Sequence, residues 1–248
     1  MRKYTFKPSW LASLAVSLMI PLFVSLGMWQ LDRAAQKQAL MDLRVQNSRA
    51  EAVPLPVYAA LAEADRYRPV LVKGEYDGAH SVLLDNQVAH GQAGYQVLTP
   101  LRVAGTDYAV MINRGWVGPG RDRQDLPHPS APVARIEISG ALDRFASVGL
   151  KLQGGDRPTE GWPTVVQWVT PELLEARLGY RLLPYQVLLS DKDGDGFARD
   201  WQQVDLHAEK SLGYAFQWFS FAVALLFLYV WYGFKRRSGP CDDEHNVS

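Results

Sequence analysis

The sequence contains almost no cysteine: among its 248 residues only Cys241, near the C-terminus, carries a thiol. The long segment between the two apolar runs described below therefore has no disulfide and no thiolate metal site. A copper-delivery protein with a Cys-x-x-x-Cys motif is excluded on the same ground. A segment of about 180 residues can still bury a proper core without disulfides.

Charge is absent from two long apolar runs, residues 8–31 and 211–234. At a rise of about 1.5 Å per residue, each run can cross about 30 Å of hydrocarbon as a helix. A secretory signal is the alternative for the first run, but this run is longer than a signal needs and ends without a small-residue cleavage site. The sequence therefore predicts two transmembrane helices, over residues 9–31 and 211–234.

Basic residues flank the two runs on the sides that face the chain ends, namely Arg2, Lys3 and Lys7, and Lys235, Arg236 and Arg237. Because cytoplasmic flanks of membrane helices carry an excess of Lys and Arg, the N-terminus 1–8 and the tail 235–248 are predicted to be cytoplasmic. Residues 32–210 are then expected on the outer side, and the lipid bilayer is the first partner that the sequence implies.

One acidic run imitates a calcium site. Asp191–Gly196 matches the start of a calcium loop, but position 12 is Gln202 instead of the bidentate glutamate, and the segment before it is strand-like. A hairpin turn is the simpler interpretation, and no calcium is expected.

Motifs for catalysis and for nucleic-acid binding are also lacking. His80, His90 and His128 stand singly among turn residues, without a nucleophile elbow or a His-x-x-x-His pair, and we expect them on the surface. The segment 32–210 is slightly acidic, which argues against a nucleic-acid-binding face. A membrane-tethered hydrolase would need a nucleophile and base that nothing in the sequence brings together, so no enzyme is predicted.

The chain between the two apolar runs changes from a helical to a β pattern. The first helix is expected to continue through LDRAAQKQALMDLRVQNSRA and to end at Val53–Pro56, before a short helix over Tyr58–Ala64. The later segment PELLEARLG predicts another helix, with Pro171 at its start and Gly179 as its stop.

After Pro69, short runs rich in Val, Ile, Tyr and Leu alternate with turn residues and predict strands. These runs are VLVKGEY, SVLLD, YQVLTPLRV, YAVMINRGWV, RIEISGAL, TVVQWV and YQVLLS. The predicted fold class is thus a membrane protein in which two transmembrane α-helices flank a β-rich α+β extramembrane domain, built as an antiparallel sheet or a partly closed barrel.

Aromatic and amide residues concentrate where each predicted membrane helix meets the outer surface. Trp29 and Gln30 end the first helix, and Tyr214, Gln217 and Trp218 lie in the first two turns of the second. Helical rise puts both sets at similar depth, so we expect them to approach each other. An aromatic belt at the headgroups is a sufficient account of the tryptophans, whereas an amide at that depth requires a partner.

Five motifs occur in one order from the first apolar run to the second. They are Gly27-x-Trp29-Gln30-x-x-Arg33-x-x-x-Lys37, Tyr67-Arg68-Pro69-Val70-x-Val72-x-Gly74, Gly94-Tyr95-x-Val97-x-Thr99-Pro100, Asn113-Arg114-Gly115-Trp116-Val117 and Leu212-Gly213-Tyr214-Ala215-x-Gln217-Trp218-Phe219. Each is weak alone, but together the set resembles the Surfeit locus protein 1 family. Its architecture, two membrane helices around a large intermembrane or periplasmic domain, agrees with the topology predicted above.

The resemblance implies a function in the biogenesis of respiratory complex IV. Members are assembly factors for cytochrome c oxidase that assist insertion of haem a into the catalytic subunit, and they are not enzymes. The implied partners are the catalytic subunit and haem A synthase, and the implied location is a bacterial inner membrane with the central domain in the periplasm. The alternative is a scaffold that stabilises the oxidase subunit without binding haem itself.

The resemblance also implies a haem-binding histidine at the outer start of the second helix, where this sequence has Ser211. A hydroxyl is a poor ligand for haem iron, so His207, one helical turn before it, is the remaining candidate ligand. The other residues implied for a haem held between the helix mouths are Arg33, Trp29, Gln30, Tyr214, Gln217 and Trp218.

The motif formed by Asn113, Arg114, Gly115 and Trp116 admits two interpretations. An Asn-x-Gly turn that closes a strand, with the tryptophan in the core, is a sufficient structural account. Alternatively, Arg114 and Trp116 form a docking surface for the oxidase or the haem synthase, since Arg and Trp are common interface anchors. Both interpretations satisfy the sequence.

Overall fold

The computed structural model describes residues 4–57, 60–120, 125–132, 135–146, 153–193, 197–199, 201 and 208–236. The chain divides into two compact units, residues 1–39 with 206–248 and residues 40–205. The elements in chain order are β1 (Tyr4–Phe6), α1 (Trp10–Ser48), β2 (Val53–Pro54), β3 (Pro69–Tyr76), β4 (Val82–Ala89), β5 (Gln92–Val103), β6 (Tyr108–Val117), β7 (Arg135–Asp143), β8 (Thr164–Val166), α2 (Pro171–Leu178), β9 (Arg181–Leu189), α3 (Ala208–Gly233) and β10 (Phe234–Arg236).

The first unit is a pair of helices, α1 and α3, both long and apolar enough to cross a membrane by length and composition. Its buried helical positions are small residues, Gly27, Ala34, Ser211, Ala215, Ala222 and Gly233. At Gly27 the missing side chain leaves room for the ring of Phe219 on α3. At the end of the pair near the chain termini, β1 and β10 form a short antiparallel ribbon.

The predicted continuation of the first helix beyond the apolar run is confirmed, because α1 runs without a break to Ser48. Pro21 lies inside α1 without ending it. The predicted short helix over Tyr58–Ala64 is wrong. Tyr58 and Ala59 lie outside the described residues, and the rest of the segment holds only a 3-10 turn at Glu63–Asp65. Leu61 packs on the barrel core instead, and a helix of so few residues has too little propensity to resist such a contact.

The second unit is built around a closed five-stranded barrel. Strands β3, β7, β9, β6 and β5 follow one another around it, and pairing of Gly74–Tyr76 with Leu101–Val103 closes the ring. A Cβ at Gly74 would collide with the Arg102 carbonyl, so closure at this point requires glycine. β6 and β9 pair in parallel, while the other four ladders are antiparallel. The predicted fold class is thereby confirmed, with full closure and a parallel pair added by the structure.

Alternating side chains divide the core of this unit into layers. Val110 and Ile112 of β6 point into the barrel, whereas Ala109 and Met111 belong to a second core that includes Leu174 of α2. β6 is therefore covered on both faces, which explains its nearly continuous apolar sequence. The predicted helix is confirmed as α2, which ends at Gly179 in the left-handed conformation.

Candidate functional site

The residues predicted to meet at the helix mouths do not all face one another. Trp29 and Tyr214 are 50% and 57% exposed, and Gln217 is exposed as well. Trp218 is half-buried, but it stacks on Phe23 at 5.8 Å between ring centroids, not on Trp29. The expectation that the two Trp-Gln pairs approach each other is therefore wrong for Trp29 and Gln217.

The rotation of the helices about their axes explains this outcome. α1 packs on α3 through Gly27, where an added Cβ would lie 2.7 Å from the ring of Phe219. Trp29 follows Gly27 by two residues, which is about 200° around a helix, so its side chain points away from α3. The guanidinium of Arg33 lies 5.4 Å from the Trp29 ring centroid, and Gln30 is half-buried.

At the position where the resemblance implies a haem ligand, Ser211 is unsuited to bind iron for two reasons. Ser211 is 5% exposed, and its hydroxyl is a poor iron ligand. His207 lies outside the described residues. Within the part of the chain that the structure describes, no group of three or more His, Cys, Asp or Glu side chains could hold a metal ion. Ser211 therefore does not fit the role of an axial haem ligand, and ligation by His207 stays a prediction.

A cavity of about 530 Å³ lies in the barrel unit, at the N-terminal ends of β3 and β5 and the C-terminal ends of β6 and β7. This volume is in the range of small-molecule and peptide sites. Its wall combines aromatic, amide and charged side chains, including Tyr67, Trp116, Phe145 and Trp201. Two of the sequence motifs, those of Tyr67 and Asn113–Trp116, contribute directly to this wall.

Trp116 connects a third motif to the same place. Its indole ring lies across β5 at Gly94, where an added Cβ would be 2.7 Å from the ring and 2.5 Å from the Val117 carbonyl oxygen. Beyond Gly94, Trp116 Nε1 donates a hydrogen bond of 2.8 Å to the Gln87 carbonyl on β4. Glycine is therefore required at position 94 so that one side chain can join three adjacent strands.

The motif around Gly115 forms a bulge within β6, not a turn. Gln96 pairs with Trp116 and Leu98 with Asn113, so Arg114 and Gly115 together oppose Val97. Gly115 has φ +115°, and Phe197–Ala198 pairs with the far side of this bulge. The turn interpretation is wrong because β6 continues to Val117.

The bulge sends Arg114 inward and Trp116 toward the cavity. Arg114 is 1% exposed, donates to Thr99 Oγ1 at 3.4 Å, and lies 5.2 Å and 5.5 Å from the ring centroids of Phe197 and Tyr76. A docking surface that uses its guanidinium is inconsistent with this burial. Trp116 is half-buried and lines the cavity, so it is the member of the motif that can still contact a ligand.

Three amides form the polar side of the cavity. Asn113 Nδ2 donates to Gln96 Oε1 at 3.0 Å and to Gln186 Oε1 at 3.3 Å, and Gln186 Nε2 donates to the Arg144 carbonyl at 2.9 Å. Asn113 Oδ1 accepts the Gly115 N–H at 3.3 Å. The network fixes the orientation of each amide, and such groups can recognise both donors and acceptors.

An ion pair closes another side of the cavity. Arg66 Nη2 lies 2.9 Å from Asp143 Oδ1 and 2.9 Å from the Tyr67 hydroxyl oxygen. Burial raises the pKa of Asp143 above its ordinary value, although the Arg66 charge opposes that shift. Burial, aided by the Asp143 charge, also raises the pKa of Tyr67. Tyr67 adopts φ +63°, an unusual conformation for a bulky residue.

A separate polar cluster contains one of the histidines that we expected on the surface. His80 is half-buried, and its Nδ1 lies 2.7 Å from Asp77 Oδ1, while the Tyr180 hydroxyl donates to Asp77 Oδ2 at 2.8 Å. Burial and this hydrogen bond raise the pKa of Tyr180. His90 and His128 are exposed, as predicted. The acidic run is a turn over residues 191–193, where the Asp193 carboxylate accepts hydrogen bonds from the Ser139 N–H and hydroxyl, and residues 194–196 lie outside the described residues.

Sequence reasoning missed most of the cavity lining. Gln96, Gln186 and Asp143 carry no motif, and each meets the others only through strand pairing between distant segments. Tyr67 was part of a motif without an assigned role. The available signal was the pattern of polar residues at inward positions of otherwise apolar strands, namely Asn113 in β6 and Gln186 in β9.

Comparison with known proteins places the chain in a family. A family model, described as the SURF1 family, matches residues 17–223. The SURF1-like protein of Rickettsia felis is 23% identical over 227 residues, which cover 89% of this chain and 96% of that protein. Surfeit locus protein 1 of Takifugu rubripes is 26% identical over 141 residues, 50% of this chain and 59% of that protein. Cytochrome oxidase assembly protein SHY1 of Saccharomyces cerevisiae is 29% identical over 112 residues, 43% of this chain and 29% of that protein. Because the family model extends from within α1 to within α3, this protein belongs to the SURF1 family.

Proposed function

We propose that the protein is a membrane-anchored assembly factor for cytochrome c oxidase, which assists insertion of haem a into the catalytic subunit and is not itself an enzyme. The observation that carries the proposal is the family match over residues 17–223, together with the printed name of the yeast relative, a cytochrome oxidase assembly protein. The catalytic subunit is the proposed partner, and haem A synthase is a second.

The proposed location is a bacterial inner membrane, with both termini in the cytoplasm and the central domain in the periplasm. Two helices of sufficient length and apolarity support anchoring. Large apolar side chains such as Phe216 and Trp231 are exposed on α3, as lipid-facing positions require. Relatives from Rickettsia are bacterial, and the basic flanks of the two helices support the orientation.

A scaffold that holds the oxidase subunit while another factor carries haem is the form of this proposal that the helix-mouth geometry favours. Ser211 supplies no iron ligand, and Trp29 and Gln217 point away from the helix pair. The groups that remain there, Gln30 and Arg33, could hold acidic or amide groups of a partner. Direct ligation by a histidine at this helix mouth would depend on His207.

Disruption of the gene in a bacterium with a haem a oxidase tests the assembly role. We expect oxidase activity and the haem a absorbance of isolated membranes to fall together, and the full chain to restore both. A normal haem a oxidase in the disrupted strain would contradict the proposal.

Haem co-purification separates the scaffold from a carrier. The full-length wild type and the variant His207→Ala are each expressed in membranes that make haem a. The scaffold predicts no haem in the wild type and an unchanged oxidase level with His207→Ala. Haem bound to the wild type and lost in His207→Ala would instead identify a carrier that uses His207.

A further inference from the structure

We infer that the free edge of β4 and the adjoining cavity form a docking site for an extended, electrically neutral segment of a partner protein. The segment would add to the sheet along Gln87–His90 and place an apolar or aromatic side chain in the cavity. This inference goes beyond the oxidase role and does not depend on it.

The edge of β4 is the first observation. β4 pairs with β8 only over Val82–Leu84, and among the described residues no strand lies beside Gln87–Ala89 on that side. The Val88 side chain is 65% exposed. An unpaired strand edge presents backbone groups that can bind an additional strand.

The direction of the Val88 backbone follows from the hairpin. His90 and Gly91 have φ +52° and +76°, which identifies a two-residue turn of the primed kind between Ala89 and Gln92. The residues that flank such a turn exchange hydrogen bonds, so the next pair, Val88 and Ala93, does not. Val88 therefore turns its N–H and C=O away from β5, toward the open edge.

The cavity beside this edge is the second observation. Trp116, Phe145 and Trp201 provide apolar walls, and the amides of Gln96 and Gln186 provide polar groups of the kind that peptide backbones bind. Trp116 donates its indole N–H to the Gln87 carbonyl, so the cavity is joined to the β4 edge through a hydrogen bond.

Charge determines which kind of segment fits. The cationic side chains of the wall already pair with acids: Arg66 with Asp143 at 2.9 Å, and Arg144 with Glu63 at 2.8 Å. These pairs leave the wall without net charge, so it attracts an anionic segment only weakly and does not disfavour a neutral one. The chemistry thus favours a neutral peptide over an acidic one.

Backbone conformation around this edge is the third observation. The described non-glycine residues with positive φ are Tyr67, Asn86 and His90, and all three belong to segments that border the cavity. Unusual backbone conformations persist where surrounding structure holds them, and they cluster at binding sites. Asn86 also marks the bulge at which β4 leaves its first register with β5.

The test uses a phage-displayed library of random linear peptides, selected on the full chain in lipid nanodiscs. Selected peptides are expected to be neutral and to contain an aromatic or branched apolar residue, and their affinity should change little with salt. Val88→Pro removes the outward N–H and should weaken binding at least about tenfold, while the control Val88→Thr keeps that N–H and should stay within about threefold. Equal binding by Val88→Pro, or enrichment of charged, salt-sensitive peptides, overturns the inference.

Ala146→Trp provides a second variant that leaves the edge intact. Ala146 is exposed on the cavity wall, so an indole there occupies the cavity without entering a packed core. The selected peptides should bind this variant at least about tenfold more weakly. If Val88→Pro fails to fold, Ala146→Trp decides the question, and wild-type affinity in it contradicts the inference.

Hydrogen exchange of the Val88 amide identifies other occupants. In the free chain this amide should exchange rapidly, and a selected peptide should slow it. Slow exchange without peptide would mean that another part of this chain covers the edge, and slow exchange that increases with protein concentration would mean that a second copy does. Either result overturns the inference.

Discussion

The helix pair and the barrel unit both depend on a glycine that lets an aromatic ring approach a backbone, but they use the approach differently. In the helix pair, the ring of Phe219 lies against Gly27, and most large side chains remain outside. In the barrel unit, Trp116 crosses Gly94 and ends in a hydrogen bond to Gln87. The difference follows from the surroundings, since lipid accepts exposed apolar side chains and water does not.

Polar groups separate the two regions further. The barrel unit buries Arg114, Asn113 and Gln186 and gives each a hydrogen-bond partner. In the helix pair, the hydroxyls of Ser13 and Tyr229 meet at 2.7 Å, and Ser220 donates to the Phe216 carbonyl at 2.8 Å within its own helix. Burying a polar group costs free energy unless the group is hydrogen-bonded, so the stability of the barrel unit depends on these contacts.

The largest expected effect compares a buried apolar side chain of the barrel unit with an exposed one of the helix pair. Ile112→Ala removes a fully buried side chain and should lower the free energy of unfolding by about 3 kcal/mol. The matched change Leu226→Ala lies on an exposed face of α3 and should cost less than about 0.5 kcal/mol in micelles. Thermal melting of the full chain measures both. Equal losses of stability would contradict the view that the exposed side chains of α3 contribute little to folding.

A smaller effect is expected at the glycine beneath Trp116. Gly94→Ala places a methyl group 2.5 Å from the Val117 carbonyl oxygen, so β5 and β6 must separate or Trp116 must move. We expect a loss of about 2 kcal/mol and a red shift of the tryptophan emission as the indole becomes more exposed. The control is Gly105→Ala, which has no neighbour within 4 Å and meets only the strain of φ +77°. An unchanged emission spectrum for Gly94→Ala would contradict the packing described for Trp116.

In the helix pair, two glycines offer a matched comparison. Gly27→Ala brings a methyl group against the Phe219 ring and should destabilise the pair by about 1 kcal/mol, because the ring can shift partly. Gly213→Ala meets nothing within 4 Å and should stabilise α3 by up to about 1 kcal/mol through helix propensity. Helix unfolding in micelles, followed by circular dichroism, should therefore move in opposite directions. The same direction for both would indicate that α1 and α3 do not pack at Gly27.

The smallest effect concerns the cavity ion pair and depends on pH. Since the pKa of Asp143 is raised in the folded state above the ordinary 3.8, folding binds a proton more tightly at this carboxyl. Its contribution to stability is present at low pH and is lost as pH rises through the folded pKa. Asp143→Asn should remove that loss, so the melting temperature of the variant should gain on the wild type as pH increases from about 4. A constant difference across this range would contradict the raised pKa.

The sequence predicted the elements better than their arrangement. Short runs rich in Val, Ile, Tyr and Leu between turn residues identified every strand of the barrel, and Pro171 with Gly179 marked α2. The failures were the Tyr58–Ala64 helix and the Asn113–Trp116 turn. In both cases, contact with a distant segment decided the local conformation. Leu61 packs on the barrel core and does not form a helix. β6 pairs with β5 and with Phe197–Ala198, so the chain forms a bulge where the sequence predicts a turn.

The candidate site was predictable only in part. Trp116 and Tyr67 were singled out as members of motifs, but nothing in the order of residues indicated that they share a cavity with Gln96 and Gln186. Trp29 and Gln217 were expected to meet because helical rise fixes depth. Their rotation was decided by the contact of Gly27 with Phe219, which belongs to the pair of helices and not to either one.

Two apolar helices around a β-rich domain follow from the lengths of the apolar runs and from local residue patterns, and the order of the motifs indicates the SURF1 family. The closure of the barrel, the parallel pairing of β6 with β9, the burial of Arg114 and, among the described residues, the unpaired edge of β4 at Gln87–Ala89 all depend on tertiary packing. These features depend on register and on rotation, which are fixed when distant segments pack and cannot be read from the period of any one segment.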